Sequence, residues 1–354
     1  MPSVAAMTTT PTSPRTGLQA RLAARPHGLP APGDIEIAEV AVPDPAPGQV
    51  LVRNLFLSLD PGMLLLMAEG PRLPLPRYEI GAPMHGDAVG EVLRSADPSL
   101  RPGDLVVHRL GWREYAVADA GAFRQVDRNA YPNPSLHLGF GLVAYAGLME
   151  VARLRPGDTV FVSSAAGAIG SLAGQIARLA GARRVIGSTG SAAKAAHLTG
   201  RLGFDAAFDH HDGPVLHRLR EAAPDGIDVY FDNVGGEQLR AAIEVMNEHG
   251  RIALCGALHQ QSTGRPDPGP GDPMRIIAKR LTLRGFTVRE HLDLAPEFGE
   301  RFRGWLRDGS IVYDETVIDG LAAAPAALTD LVRGRYTGKT VVRLGVGGER
   351  DADR

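Results

Sequence analysis

The sequence predicts two unlike parts: an α/β unit built on an open parallel sheet, preceded by a smaller β-rich, barrel-like unit. Three observations predict this. From about residue 139 onward, apolar strands and helical periods alternate for about 150 residues, the signature of βαβ units. Before that, from residue 18 to about 137, short strand-like runs are separated by Gly and Pro, with few long helical periods. A run of small residues, Ala165-Ala166-Gly167-Ala168-Ile169-Gly170, lies between a strand and a helix. The 354 residues suffice for two domains of roughly 100–200 residues each.

Residues 1–16 (MPSVAAMTTTPTSPRT) are rich in Thr, Pro and Ser and lack the apolar core of a signal peptide. They are expected as a disordered tail, and Met7 offers a second start. Residues 35–42 are strand-like and end in PDPAPG. Residues 50–59 (VLVRNLFLSL) form a strand that stops at Asp60-Pro61-Gly62. Strands at 88–93 and 104–107 are joined through the turn Arg101-Pro102-Gly103-Asp104, and 114–117 is another short strand.

The texture then changes. Residues 142–153 carry apolar side chains at helical spacing and end at Arg155-Pro156-Gly157-Asp158. Residues 159–163 (TVFVS) are nearly all apolar, as a parallel strand buried on both faces must be. Helices at 167–180, 192–202, 215–223 and 239–246 alternate with strands at 184–187, 206–208, 229–232, 251–254 and 281–288. Residues 260–273 (QQSTGRPDPGPGDP) break the rhythm as a long loop, expected over the carboxyl edge of the sheet as a lid. After a helix at 298–306, strands at 312–318 and 339–344 are expected to return to the first unit.

Composition narrows the function. Net charge is −2, so no basic field points to nucleic acid or an acidic membrane surface. No apolar run approaches the ~20 residues of a membrane span. The single cysteine, Cys255, can close no internal disulfide, which suits a reducing cytoplasm.

The small-residue turn carries the chemistry. Gly167 and Gly170 occupy the second and third glycine places of G-x-G-x-x-G, and Ala165 the first. A glycine at the second place lets the backbone approach a pyrophosphate, and one at the third lets helix pack on strand. This points to a dinucleotide. After the next strand an NAD site carries Asp or Glu for the ribose hydroxyl. Here the strand ends Gly187-Ser188-Thr189-Gly190-Ser191, and Lys194 follows. Hydroxyls and a cation suit a 2′-phosphate, so NADP(H) is the expected cofactor.

The motifs SLDPGM (residues 58–63), GWREY (111–115) and AYAGLMEV (144–151) continue with FVSSAAGAIGSLAGQIARLAG (161–181) and KAAHLTGRLGFD (194–205). DVYFDNVGGE (228–237), GRIALCGA (250–257) and GKTVVRL (338–344) complete the set. With these, the chain resembles the zinc-independent medium-chain dehydrogenase/reductases of the prostaglandin reductase, leukotriene 12-hydroxydehydrogenase and alkenal double-bond reductase branch, over residues 18–345. The resemblance implies a GroES-like substrate domain (residues 17–137 and 310–347) and a Rossmann NADP-binding domain (138–309), with residues 348–354 as a tail. It implies that Ala168, Ile169, Gly170 and Ser171 meet the pyrophosphate and that Lys194 holds the 2′-phosphate. It likewise brings Asn233, the strand end Cys255, Gly256 and Ala257, and the last-strand residues Phe286, Thr287 and Val288 to the cofactor.

Zinc-dependent relatives carry a Cys after an early strand and a Gly-His-Glu triplet. Here those places read Ser58-Leu59-Asp60 and His85-Gly86-Asp87, so no metal is expected. Without a metal the expected reaction is hydride addition to the β-carbon of an enone or enal, with donors offered to the carbonyl oxygen. The chain departs from the resembled pattern at the substrate. Gly62 replaces a Tyr, His259-Gln260-Gln261 stands where another Tyr belongs, and His210 replaces the Tyr beside the 2′-phosphate. His259 and Gln261 are therefore the candidate catalytic donors, with Gly62, Tyr78 and His85 at the substrate. Quinone reduction, a biosynthetic reduction or cyclisation on the same scaffold, and a non-enzymatic NADPH-binding redox sensor are the alternatives. The apolar strand at 281–288 would lie at a sheet edge that must be paired or covered, and the resemblance implies that it pairs with its two-fold mate in a homodimer.

Overall fold

The structure is a computed structural model describing residues 15–68, 76–263, 267 and 269–345. Strands β1 (Thr16–Leu22) and β2 (Ile35–Ala41) pair antiparallel as a separate ribbon. The expected tail is corrected at its end: Thr16 already pairs with Ala41, while residues 1–14 and 348–354 lie outside the described residues.

The long strand β3 (Gln49–Ser58) is the spine of a seven-stranded mixed sheet. A short helix α1 (Met63–Met67) follows it. One edge of β3 takes β4 (Ala88–Ser95), then β5 (Leu105–His108) and later β7 (Arg124–Gln125). Its residues 49–53 also pair with β6 (Tyr115–Asp119). Trp112, Tyr78, Met84 and Leu57 form a core beneath it.

Helix α2 (Gly141–Ala146) opens the second part and runs into one π-helical turn over Gly147–Val151, so the single helix expected at 142–153 is two pieces. The helix, strand and helix pattern then proceeds as read: β8 (Thr159–Val162), α3 (Gly170–Leu179), β9 (Arg184–Thr189), α4 (Ala192–Arg201), β10 (Ala206–Asp209), α5 (Val215–Ala222), β11 (Ile227–Asp232), α6 (Gly236–Val245) and β12 (Met246–Leu254). After α7 (Leu258–Thr263) and α8 (Pro273–Lys279), β13 (Thr282–Gly285) closes a six-stranded sheet, and α9 (Ala295–Arg307) follows. The strand order is β10-β9-β8-β11-β12-β13 and every pair is parallel. Alternate residues explain the all-apolar strands: Val160, Val162, Val229 and Phe231 pack into one core, Phe161 and Tyr230 into the core on the opposite face.

Three expectations are corrected here. The segment 260–273 is helical at its start, because LHQQST holds no Gly or Pro and α7 runs through it. The strand expected at 281–288 ends at Gly285, opposite Leu254, where β12 stops and no ladder partner remains. The strand expected at 312–318 is β14 (Glu315–Asp319); Asp314 before it is held by His197 instead. Helix α10 (Ala324–Val332) lies between β14 and β15 (Lys339–Arg343). β15 pairs with β14 on one edge and antiparallel with β3 on the other, so the chain returns to the first sheet as expected.

Candidate active site

At the carboxyl ends of the parallel strands, chain connections diverge on either side of β8, the place where α/β sheets bind ligands. A cleft of about 600 Å³ opens there between the two sheets. Four strand spacings separate β10 from β12, so the loops along this edge span roughly 19 Å.

The small-residue turn forms the middle of the cleft. Ser164 has a φ of +49°, turning the chain sharply after β8. Ala165 N–H then donates to Ser188 O at 2.8 Å and Gly167 N–H to Ser164 O at 3.0 Å. A Cβ on Gly170 would collide with Ser164 O and lie 2.8 Å from Ala165 Cα, so the third place accepts only glycine. The N–H groups of Ile169 and Gly170 have no acceptor among the described residues and stand at the start of the ten-residue α3, while Ala168 beside them flanks the bridge between Gly167 and Gly338. Free amides at a helix N-terminus are a ready cradle for a pyrophosphate, so the site fits a dinucleotide. All three residues line the cleft. Ser171 does not; it is buried, and its N–H donates to Gly167 O.

On the β9 and β10 side the lining residues are Thr189, Gly190, Lys194, His210, His211 and Gln238. Ser191 caps α4 by accepting Lys194 N–H, which sets the lysine at the mouth. Lys194 Nζ donates to Gly334 O at 2.6 Å and Tyr336 O at 2.5 Å, crossing the cleft, and keeps one N–H in reserve. Burial holds its pKa below the ordinary lysine value. Burial, and then His211, lower the pKa of His210. The two rings meet edge to face at 3.9 Å. Among the described residues, Asp209, His210 and His211 are the one group of three close metal-ligand types, their ligand atoms within 4.8 Å.

On the β11 and β12 side the turn is built around Asp232. Its Oδ1 accepts from Tyr230 Oη, Val234 N–H and Gly235 N–H at 2.7–2.9 Å. Gly235 at φ +73° and Gly236 at φ +58° complete a turn that side chains resist. Asn233 is fixed by Ser163, which accepts its N–H and Nδ2–H. Cys255 and Gly256 N–H both donate to Asp232 O. Asn233, Cys255, Gly256, His259 and Gln261 line the cleft; Ala257 does not. Burial, with Asp232 second, pushes the Cys255 thiol up to about 12, so it is no thiolate at neutral pH. The His259 ring rests against Gly236.

The mixed-sheet side supplies Leu59, Asp60, Gly62 and Thr340, with Phe140 beside them. Behind this wall Lys339, only 1% exposed, donates to Ser58 Oγ at 2.6 Å, Leu59 O at 3.2 Å and Asp60 Oδ1 at 2.9 Å. Its Nζ lies 4.1 Å from the centre of the Phe140 ring.

Besides Ser171 and Ala257, five of the expected residues are not brought to the cleft. Tyr78 is buried in the core, where its ring gains more than at a surface, and its Oη donates to His85 O at 2.7 Å. His85 is engaged with Pro76 O through Nε2 at 3.0 Å. Phe286 packs edge to face on Phe231, and with Thr287 and Val288 it lies beyond β13 and outside the lining. Conversely, sequence reasoning missed Phe140, Arg333, Tyr336 and Thr340, which line the cleft. The Gly338-Lys339 pair within GKTVVRL was the one local sign of that segment, and nothing in its spacing tells which surface it faces.

Comparison with known proteins agrees with this geometry. A family described as the N-terminal domain of oxidoreductase matches residues 19–126, and one described as zinc-binding dehydrogenase matches 168–301. The chain is similar to a 2-alkenal reductase (NADP(+)-dependent) of Nicotiana tabacum, 38% identical over 326 residues, 90% of this chain and 94% of that one. It is also similar to prostaglandin reductase 1 of Rattus norvegicus, 38% identical over 327 residues, 90% and 96% of the two chains. Among solved structures, CurA of Vibrio vulnificus in complex with NADPH superposes with a TM-score of 0.87 at 34% identity, covering 93% of this chain and all of that one.

Proposed function

Because the chain belongs to the medium-chain dehydrogenase/reductase family, in the branch of the prostaglandin and alkenal reductases, we infer that it reduces the C=C bond of an α,β-unsaturated ketone or aldehyde with NADPH. The observation in the molecule that carries this reading is the pair of free amides at Ile169 and Gly170, with Lys194 at one end of the same cleft. When bound, NADPH supplies the hydride for the β-carbon. The chain's own work is to hold, orient and exclude water. The free amides and the α3 dipole neutralise a pyrophosphate. The unused N–H of Lys194 answers a 2′-phosphate without releasing Gly334 and Tyr336. We assign His210, Asn233, Cys255 and Gly256 to the cofactor wall, and Gly62, His259 and Gln261 to the substrate wall.

We hold the reaction to be independent of zinc. What supports this is that Ser58 and Asp60 hold Lys339, and that His85 is turned to Pro76 O. Protein exhaustively treated with a chelator is expected to consume NADPH continuously with a 2-alkenal and yield the saturated aldehyde. Consumption that stops at one equivalent would overturn the enzymatic reading, and activity lost with a removed metal would overturn the metal-free one.

We divide the chain into a substrate domain of residues 17–137 and 310–347 and an NADP-binding domain of residues 138–309; the return of β14 and β15 to β3 supports this. No helix among the described residues is long and apolar enough to cross a membrane, and the one cysteine supports a cytoplasmic setting. We also propose a homodimer. β13 is an edge strand, and α8 just before it exposes Met274 and Ile277 by 61% and 63%. Light scattering is expected to give the mass of two chains, and Leu283→Pro to shift it toward one; a wild-type monomer at micromolar concentration would refute the pairing.

A further inference from the structure

We propose that Asp209, His210 and His211 bind a divalent cation of the zinc class at one end of the cleft, where its open position meets the 2′-phosphate of NADPH. The ion site rests on these three residues alone; its link to the phosphate rests on the cofactor reading given above.

The three are consecutive, and along a strand consecutive side chains diverge. A tight turn brings them together here. Asp209 ends β10 opposite Thr189 of β9, and His210 N–H donates back to Thr189 O at 2.9 Å. Asp212 N–H then donates to Asp209 O at 3.2 Å and His211 N–H to Asp209 Oδ1 at 3.0 Å. One ligand atom from each of the three lies within 4.8 Å of the other two. His211 Nδ1 and Asp209 Oδ1 are 3.1 Å apart. That is close to the roughly 3.3 Å edge of a tetrahedron whose metal bonds are about 2.0–2.1 Å. The His211 side chain is 68% exposed, so an ion reaches it from solvent and the ring can close the remaining distance.

The donor set selects the ion. Two imidazoles and one carboxylate suit Zn2+ over Mg2+ or Ca2+, and three protein ligands leave a fourth position open. The lowered pKa of His210 leaves its ring neutral at neutral pH, the form that ligates. Asp209 and Glu237 add negative charge around it. The place is not the one where zinc-dependent relatives carry their ligands, residues 58–60 and 85–87 here, and the ion takes no part in the hydride step.

His210 and His211 line the cleft together with Thr189, Gly190 and Lys194. A Cβ on Gly190 would lie 3.5 Å from His211 Cε1, so the ring stands against the turn that leads into α4 and Lys194. A dication and the Lys194 ammonium at one end of a cleft repel each other until an anion lies between them. A 2′-phosphate is such an anion: Lys194 donates to it, and another of its oxygens takes the open metal position. Ion and NADPH then strengthen each other by the same factor, a gain that NADH, without the phosphate, does not share.

The test is a calorimetric titration of chelator-stripped protein with Zn2+, expected to show one ion per chain, with Mg2+ showing none. His211→Ala and Asp209→Asn should each weaken Zn2+ at least about tenfold. The melting temperature of His211→Ala should stay unchanged, because the ring is exposed. His217→Ala, which removes an exposed histidine paired with Glu221 on α5, should leave Zn2+ affinity as it is. Saturating NADPH should tighten Zn2+ about tenfold and NADH less than about twofold. Equal Zn2+ affinity in His211→Ala and the wild type overturns the proposal, since the ion would then sit on other surface histidines. Zn2+ affinity unchanged or lowered by NADPH, in protein that binds NADPH, overturns the link to the phosphate. Failure to bind NADPH at all would instead remove the inferred function and that link with it, and the His211→Ala titration would still decide the ion site.

Discussion

Replacing Lys339 by Met is expected to destabilise the protein by about 3–5 kcal/mol, read as a shift of the urea unfolding midpoint. The ammonium is almost fully buried and spends its three N–H groups on Ser58 Oγ, Leu59 O and Asp60 Oδ1. Removing it leaves the Asp60 carboxylate without its cation in a part-buried wall, and a broken buried pair costs far more than the pair contributes when intact. Phe140 loses the cation over its ring as well. The double variant Lys339→Met with Asp60→Leu should recover much of the loss, because no charge is then stranded. A shift below about 1 kcal/mol in the single variant would show that Asp60 is satisfied by water and that the pair is structurally idle. Activity should fall with stability, since the same three bonds hold the Leu59–Asp60 segment against the cleft.

Lys194→Ala is expected to weaken NADPH binding about ten- to a hundredfold more than NADH binding, the worth of a charge-assisted contact to phosphate, roughly 1.5–3 kcal/mol. The bonds to Gly334 O and Tyr336 O add a second consequence. They tie α4 to the segment between α10 and β15, so NADH affinity should drop modestly too, as the far wall of the cleft loosens. Titration of both cofactors separates the effects: the NADH loss reports the cross-cleft tie, and the excess for NADPH reports the phosphate. Equal losses for both would sink the phosphate assignment and leave Lys194 as a tie alone.

The cofactor half of the site was legible for a local reason. Gly170, the amides beside it and Lys194 stand within a short stretch of chain, where strand, turn and helix follow from spacing and residue type. The substrate half was read poorly. Tyr78 and His85 looked like loop residues with polar tips, yet one fills a core and the other meets Pro76. Phe286 was expected on a strand that stops one residue earlier, because a strand extends only as far as its neighbour does.

By itself the sequence determined the alternation of strands and helices from β8 to β12, the two-part fold and the nucleotide turn. Hydrophobic period, glycine placement and the missing acid after β9 act over a few residues and need no distant partner. Only the tertiary structure decided what the turn faces. Ser58 and Lys339 meet across 281 positions of sequence. Gly338 reaches the nucleotide turn by donating its N–H to Ala166 O. Thr340 joins the lining of the cleft only because β15 is inserted between β14 and β3. Contacts of that range depend on which sheet edge a returning strand can pair with and bury, and that is settled by packing of the whole chain rather than by the residues beside it.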